Sequence, residues 1–307
     1  MTDLLRTWAG VVLISFSAVY VRLADVEATR SAFLRVAYAL PVFAVLVVWR
    51  RRRSTAPPRA GTPAPSGWVP LAVVAGAFLA LDLVSWHTSI GLIGAGLATV
   101  LANLQVVIVG VIGVVLFRER PRGTFWLALP IVLIGVWLLG ATGEPVEAGG
   151  SVVAGVGFGI LTALAYSVFL VVLRQARLDG ADTLSSMASA TFGATVVAFA
   201  FAAAEGVAAP PGSLEANAWL VALALGSQVA GWLLLTSSID RLPAALTSVA
   251  LLLQPVLAML WGAALLDEPI GVPQVAGAAT VLAGVAVAHR AARVATHHET
   301  EEPVGVP

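Results

Sequence analysis

The stretch GAGLATVLANLQVVIVGVIGVVLFRE, Gly94 to Glu119, occurs twice in this chain. A shift of 149 positions lays it on PAALTSVALLLQPVLAMLWGAALLDE, Pro243 to Glu268. Without gaps, Ala95, Leu97, Val100, Leu104, Gln105, Val107, Gly113, Leu116 and Glu119 meet their own residue types. Matched Leu and Val mean little between apolar helices, whereas matched Gln, Glu and Gly mean more. The same shift pairs Ser89-Ile90 with Ser238-Ile239, and Val132 to Val136 with Val281 to Val285. One register held across this stretch argues for a duplicated unit. At about 1.5 Å per residue, each copy is long enough to cross a bilayer core of roughly 30 Å.

Composition sets the same frame. The chain is 59% hydrophobic and 11% charged, with a mean hydropathy of +0.94. A soluble domain of 307 residues cannot hide that much apolar surface. Apolar segments of about 20 residues recur from end to end, the mark of a polytopic membrane protein. All positive charge is Arg, with no Lys, so there is no P-loop lysine and no lysine Schiff base. Without Cys there are no disulfides, thiolate nucleophiles or Cys-ligated metals. The first apolar segment lacks a small-residue cleavage site and reads as a retained span.

Ten spans are expected: Thr7–Ala24, Thr29–Trp49, Trp68–Ile90, Gly94–Phe117, Gly123–Ala141, Ser151–Leu173, Thr183–Ala204, Asn217–Ile239, Pro243–Leu266 and Val272–Ala288. A basic, Pro-rich linker, Arg50–Gly67, follows the second, and a Gly-rich connector, Thr142–Gly150, separates the halves. The first unit is thus 1–143, the second 150–290, and the polar tail 291–307 reads as disordered. With the N-terminus inside, 14 of 17 Arg fall on the cytoplasmic side, so both termini are expected in the cytoplasm. Arg22, Arg30 and Arg35 break the rule, all near the first two spans. Five spans per half is an odd number, so the second half must enter the membrane inverted. The expected fold is therefore all-α, ten transmembrane helices in two inverted five-helix repeats.

The cassettes LATVLANLQVVIVGVIGVVLFRERP and LPAALTSVALLLQPVLAMLWGAALLDEP resemble the paired EamA repeats of the drug/metabolite transporter superfamily. So does SAVYVRLADVEATRSAFLRVAYALP in the first half. The resemblance covers about residues 7–140 and 151–288. It implies five plus five helices around a central cavity, and secondary transport of small metabolites, often amino-acid export across the cell membrane. It also favours an Arg at position 35. Two departures stand out. Val106 replaces the proline found at Pro255, and Arg118-Glu119-Arg120 ends the first cassette where Gly-Glu is commoner.

Polar residues inside a membrane are costly and mark function or structural pairing. Arg35 lies about six residues into span two; it reads as a cavity cation, or as a side chain snorkelling outward. Asp82 lies deep in AGAFLALDLVSW, where it must pair, protonate or face water. His87 is five residues on, about 140° around the helix, so the two do not share a face. Asp82 and His87 are the candidates for proton coupling; Trp86 shares the Asp82 face better. Gln105, Gln228 and Gln254 place amides in spans four, eight and nine, to bind solute or to join helices. Gln228 and Trp232 are four apart on one face, an amide beside an aromatic wall. Tyr20 and its repeat mate Phe169 are candidate gates. Pro255, beside Gln254, makes span nine the expected hinge. No span carries His or carboxylates at metal-ligand spacing, so neither metal nor cofactor is expected.

The leading reading is a secondary transporter, an exporter of a small metabolite working by alternating access. Its partners are the solute and the bilayer; neither nucleic acid nor an ATP-binding subunit is implied. A membrane-embedded enzyme would need paired catalytic groups, and one Asp with a His off its face argues against it. A passive uniporter or channel stays open. If Arg35 and Asp82 share the cavity and neutralise each other, a zwitterionic solute could insert between them.

Overall fold

A computed structural model describes residues 2–53, 67–118, 123–140, 152–267 and 270–299. Among these residues every regular element is helical: α1 Thr2–Ser15, α2 Ser17–Ala24, α3 Ala28–Arg53, α4 Trp68–Ala102, α5 Gln105–Val115, α6 Gly123–Gly140, α7 Val152–Leu178, α8 Thr183–Ala204, α9 Leu214–Ala222, a π-helical segment Leu223–Gly231, α10 Trp232–Thr236, α11 Ala244–Leu251, α12 Leu253–Leu266 and α13 Val272–Glu299. Helices are the expected result for unbroken apolar runs, because a helix satisfies its backbone within the segment and needs no water. Among the described residues, seven helical stretches are long and apolar enough to cross a membrane: Asp3–Ala24, Ala28–Arg53, Trp68–Ser89, Val152–Leu178, Thr183–Ala204, Leu214–Thr236 and Val249–Leu266. Gln105–Val115, Phe125–Leu138 and Val272–Gly284 are shorter apolar helices. The chain is a helical, multi-pass membrane protein.

The expected linker and connector fall almost wholly outside the described residues, as do Glu119 and Glu268. At the C-terminus α13 runs on to Glu299, into the stretch expected to be disordered. Its sequence there, AARVATHHE, holds several good helix formers and no Gly or Pro to stop it.

Two long helices depart from their expected outlines. α4 joins spans three and four without a non-helical gap, yet it does not run straight. A Cβ on Gly159 would stand 3.2 Å from Ser89 Oγ and 2.8 Å from Leu101 Cβ. Twelve residues of straight helix would separate Ser89 from Leu101 by about 18 Å. The chain therefore folds back between them, and α4 supplies two antiparallel arms. The second departure is a break in each copy of the duplicated helix, at Asn103-Leu104 and at Leu252. These lie 149 positions apart, as Asn103 and Leu252. Both tighten through short-range bonds: Leu104 N to Leu101 O at 3.1 Å, Val107 N to Leu104 O at 3.0 Å, and Leu252 N to Val249 O at 3.1 Å. The same register recurs at the far end, where Arg118 and Asp267 both take φ 54.

Glycines set the closest helix contacts. Gly135 on α6 faces α13, where a Cβ would stand 2.7 Å from Val281 N and 2.9 Å from Gly277 O. Gly284 on α13 faces back, with Val132 N at 3.3 Å and Ala128 O at 3.4 Å. Position numbers fall along α13 as they rise along α6, so the helices are antiparallel and the contact is reciprocal. Gly76 on α4 and Gly193 on α8 likewise meet the backbones of Ala190 and Val73.

Contacts between helix ends sort the bundle into two faces. At one end Thr7 and Ser238 share a 2.8 Å hydroxyl bond, Arg241 pairs with Asp3 at 3.1 Å, and Arg177 pairs with Asp240 at 3.3 Å. Arg50 pairs with Asp182, which also caps α8 by accepting from Ser185 N at 3.0 Å. Burial works against ionisation of Asp182, but the bonds from Ser185 and the Arg50 charge outweigh it and hold the carboxyl below the usual range. At the other end Arg30 Nε donates to Val207 O at 3.2 Å, and Ser89 Oγ to Gly155 O at 2.9 Å.

Candidate functional site

Five helical elements bring polar side chains to one place in the apolar core. Arg35, on α3, is buried and its Nε donates to Gln228 Oε1 at 3.0 Å. Asp82, on the first arm of α4, is buried within electrostatic reach of that guanidinium. Tyr166, on α7, lies within reach of both charges and bonds the Gln254 side chain on α12. His87 feels Arg35 as well, and its ring bonds Leu83 O at 2.7 Å. A carbonyl only accepts, so Nδ1 carries the proton and donates it there. Elements of both halves thus converge on one charged pair of groups.

The cluster has more donors than it uses. Gln228 Nε2, Trp232 Nε1 and Gln254 Nε2 are buried donors with no hydrogen-bond partner; His87 Nε2, which bears no proton when Nδ1 donates, is a buried acceptor without one. An unmatched buried donor costs about 1–3 kcal/mol, and a group of them in one site is matched to a ligand or water that brings acceptor oxygens. An apolar wall stands beside them: Trp232 packs edge-on against Phe169 at 4.8 Å and against Tyr166 at 6.3 Å. Arrayed this way, the site can hold a carboxylate at Arg35 and the amide donors, and a cation at Asp82.

Gln228 is placed by an unusual backbone. It lies inside the π-helical segment Leu223–Gly231, and Trp232 opens the α-helix that follows. Single π turns recur at functional sites; here the segment spans nine residues. Small residues let it lie against α1: a Cβ on Gly10 would stand 2.9 Å from Gly231 O, and Ser227 Oγ donates to Leu13 O at 3.1 Å.

The sequence expectations meet this geometry unevenly. Arg35, Asp82, Gln228, Trp232 and Gln254 gather as above. Arg35 and Asp82 attract one another, but the direct bond of Arg35 goes to Gln228 and not to Asp82. His87 joins Arg35 despite lying on another face of α4, because charge acts beyond one helix face. Trp86 packs on the His87 ring at 5.2 Å. Gln105 is buried at the break before α5, with Oε1 unpartnered. Tyr20 belongs elsewhere, stacking with Phe16 at 6.1 Å and Trp219 at 6.4 Å, while Phe16 stacks on Trp261 at 4.4 Å. Pro255 sits three residues beyond the break at Leu252. The equivalent break at Asn103-Leu104 forms with Val106 in place of a proline, so a ring is not required for it. Tyr166 was not singled out by the sequence reading, although a hydroxyl in the middle of an apolar span needs a partner and is a usable signal.

A cavity of about 750 Å³ opens at the end of the bundle that carries Arg30. Asp25, Glu27, Arg30, Ser213 and Glu215 are among the residues lining it, and none of the buried cluster does. Among the described residues no group of three or more His, Asp or Glu could hold a metal.

The chain matches the EamA-like transporter family twice, over residues 5–141 and 153–289. No curated protein matches it. Among solved structures it is similar to one titled only as the crystal structure of a protein, at 19% identity and a TM-score of 0.74. That similarity covers 95% of this chain and 98% of the other, and it concerns the fold alone.

Proposed function

This chain belongs to the EamA-like transporter family, and from that premise we propose that it is a secondary transporter exporting a small zwitterionic metabolite, such as an amino acid. The observation that carries the reading is the buried cluster of Arg35, Asp82, Tyr166, Gln228 and Gln254, with its unmatched donors. The solute carboxylate binds Arg35 and the amides, and its ammonium binds Asp82. Trp232 walls the apolar part. Gln105 and Tyr20 line the route, and Trp86 backs His87. Asp82 or His87 carries the proton if transport is proton-coupled.

The motion proposed is alternating access between two inverted five-helix repeats, 1–143 and 150–290, in the cell membrane. Seven long and three shorter apolar helices support a count of ten, and the folded-back α4 supports treating its arms as separate spans. Reciprocal packing of antiparallel α6 and α13 supports an axis in the membrane plane. The sorting of helix ends into two faces supports placing both termini together, in the cytoplasm by the Arg distribution. Single cysteines at Asp179 and Gly212, in this Cys-free chain, should label from opposite sides with an impermeant reagent; labelling of both from one side removes the ten-span topology.

Labelled-metabolite counterflow in proteoliposomes tests the function. Exchange of a zwitterion supports the carrier. Chemical turnover of the solute supports a membrane-embedded enzyme, and flux without exchange supports a uniporter or channel. Pro255 loosens the break at Leu252, since its ring removes the bond to the Leu251 carbonyl. Pro255→Ala should slow exchange more than it lowers the yield of folded protein. Equal losses would make Pro255 a packing residue.

A further inference from the structure

The loop Ser237–Pro243 joins α10 to α11 at the end of the bundle that holds the N-terminus. It is tied on two sides. Ser238 and Arg241 bind Thr7 and Asp3 on α1, at 2.8 and 3.1 Å. Asp240 takes both of its bonds from one nitrogen of Arg177 on α7, each 3.3 Å long. Arg177 is almost fully enclosed, its side chain 7% exposed. A single short loop thus clamps α1 to α7, each the first long helix of its half.

The duplication supplies a comparison within the same molecule. Shifting back by 149 positions turns Ser238 into Ser89, Asp240 into Gly91 and Arg241 into Leu92. Ser89 keeps its counterpart's job and ties its turn to Gly155 on α7 at the opposite end. The two charges have no counterpart, because Gly and Leu cannot form ion pairs. Matching turns at the two ends therefore share a serine tie, but one alone has ionic locks. Opening the charged end requires parting a nearly enclosed guanidinium from its carboxylate, and a charge left buried alone is strongly destabilising. At the other end the Arg30 guanidinium bonds a carbonyl, Val207 O, across the helices, and its carboxylate partner Glu27 is a half-exposed neighbour on its own chain segment, so no enclosed ion pair is parted there among the described residues. The cavity of about 750 Å³ lies at the end without the locks.

We infer that the loop Ser237–Pro243 is the cytoplasmic gate of the transporter, latched by Asp240–Arg177 and Arg241–Asp3, and that the latch biases the resting protein towards the outward-facing state. The inference rests on the transporter reading, but its test uses no solute. Full-length protein in nanodiscs carries one cysteine, either at Thr236, buried just inside the loop, or at Ala216, which lines the outer cavity. The rate of reaction with a polar maleimide is measured at each. Asp240→Asn combined with Arg241→Gln should raise the rate at Thr236→Cys about tenfold, equivalent to about 1.4 kcal/mol, and lower it at Ala216→Cys. Exchanging the charges, Arg177→Asp with Asp240→Arg, should return the slow rate at Thr236→Cys. An unchanged rate at Thr236→Cys, a rise at both ends together, or no recovery on charge exchange overturns the latch. Opposed changes at the two ends in a protein that shows no counterflow would uphold the gate and remove the transport reading.

Discussion

Arg35→Ala should abolish exchange while the protein still folds and inserts. Two losses follow from that one substitution. Gln228 Oε1 loses the donor it holds at 3.0 Å, and Asp82 loses the cation within its reach. A charge at membrane depth costs at least about 2.5–3.5 kcal/mol when unpaired. The fold survives because a lone carboxyl can stay buried as the neutral acid, with the protein bearing only part of that cost. Binding does not survive, because the solute carboxylate has lost its counter-charge. Spending about 2.7 kcal/mol or more of binding energy corresponds to a loss of at least about a hundredfold. Arg35→Lys keeps the charge but not the planar guanidinium that bonds Gln228, so it should recover only part of the rate. Asp82→Asn should fail as completely as Arg35→Ala, by leaving the solute ammonium unmatched. Exchange measured on purified, folded variants decides the matter. Near wild-type rates for Asp82→Asn take Asp82 out of the mechanism.

Gly76→Val should leave almost no folded protein. Even the first carbon of the new side chain would collide with the Ala190 carbonyl and stand 2.8 Å from Ala194 N. The obstacle is backbone, so no rotamer change relieves it. Overpacking of ordinary cores costs about 1–3 kcal/mol, and a collision with backbone belongs at or beyond the upper end. The opposite face of the contact is just as tight, because Gly193 meets the Val73 carbonyl. α4 and α8 would have to separate. Gly67→Val is the matched control, since nothing lies within 4 Å of a Cβ there. Monodispersity after detergent extraction separates the outcomes. A sharp, wild-type profile for Gly76→Val would mean that this contact is looser than drawn.

The helices and the duplication were legible because both rest on short-range patterns: runs of apolar residues, and a fixed offset between Gln105 and Gln254. The polar site was half legible. Arg35, Asp82 and the glutamines announce themselves by being polar in apolar surroundings. What they touch was not, since the partnership of Arg35 with Gln228 depends on how α3 crosses the π-helical segment, and no local rule in GSQV foretells that segment. Tyr20 was drawn to the cavity by its repeat relation to Phe169, yet the two are used differently. Phe169 backs Trp232, while Tyr20 extends a stack to Trp219. A repeat relation conserves position along the chain more faithfully than the company a side chain keeps. A bend in span nine was legible near Gln254-Pro255; the break lies at Leu252, and the matching break at Asn103-Leu104 forms without a proline.

The reciprocal seam between Gly135 and Gly284 also bears on ancestry. When each partner offers the other the same patch, the interface needs only one sequence. Two separate copies of a single half could form it, provided one entered the membrane upside down. Joining the copies in one chain then adds no new surface at the seam; it lets each copy diverge, and the ion pairs of Asp240 and Arg241, whose shifted positions hold Gly91 and Leu92, are a difference that two identical copies could not carry.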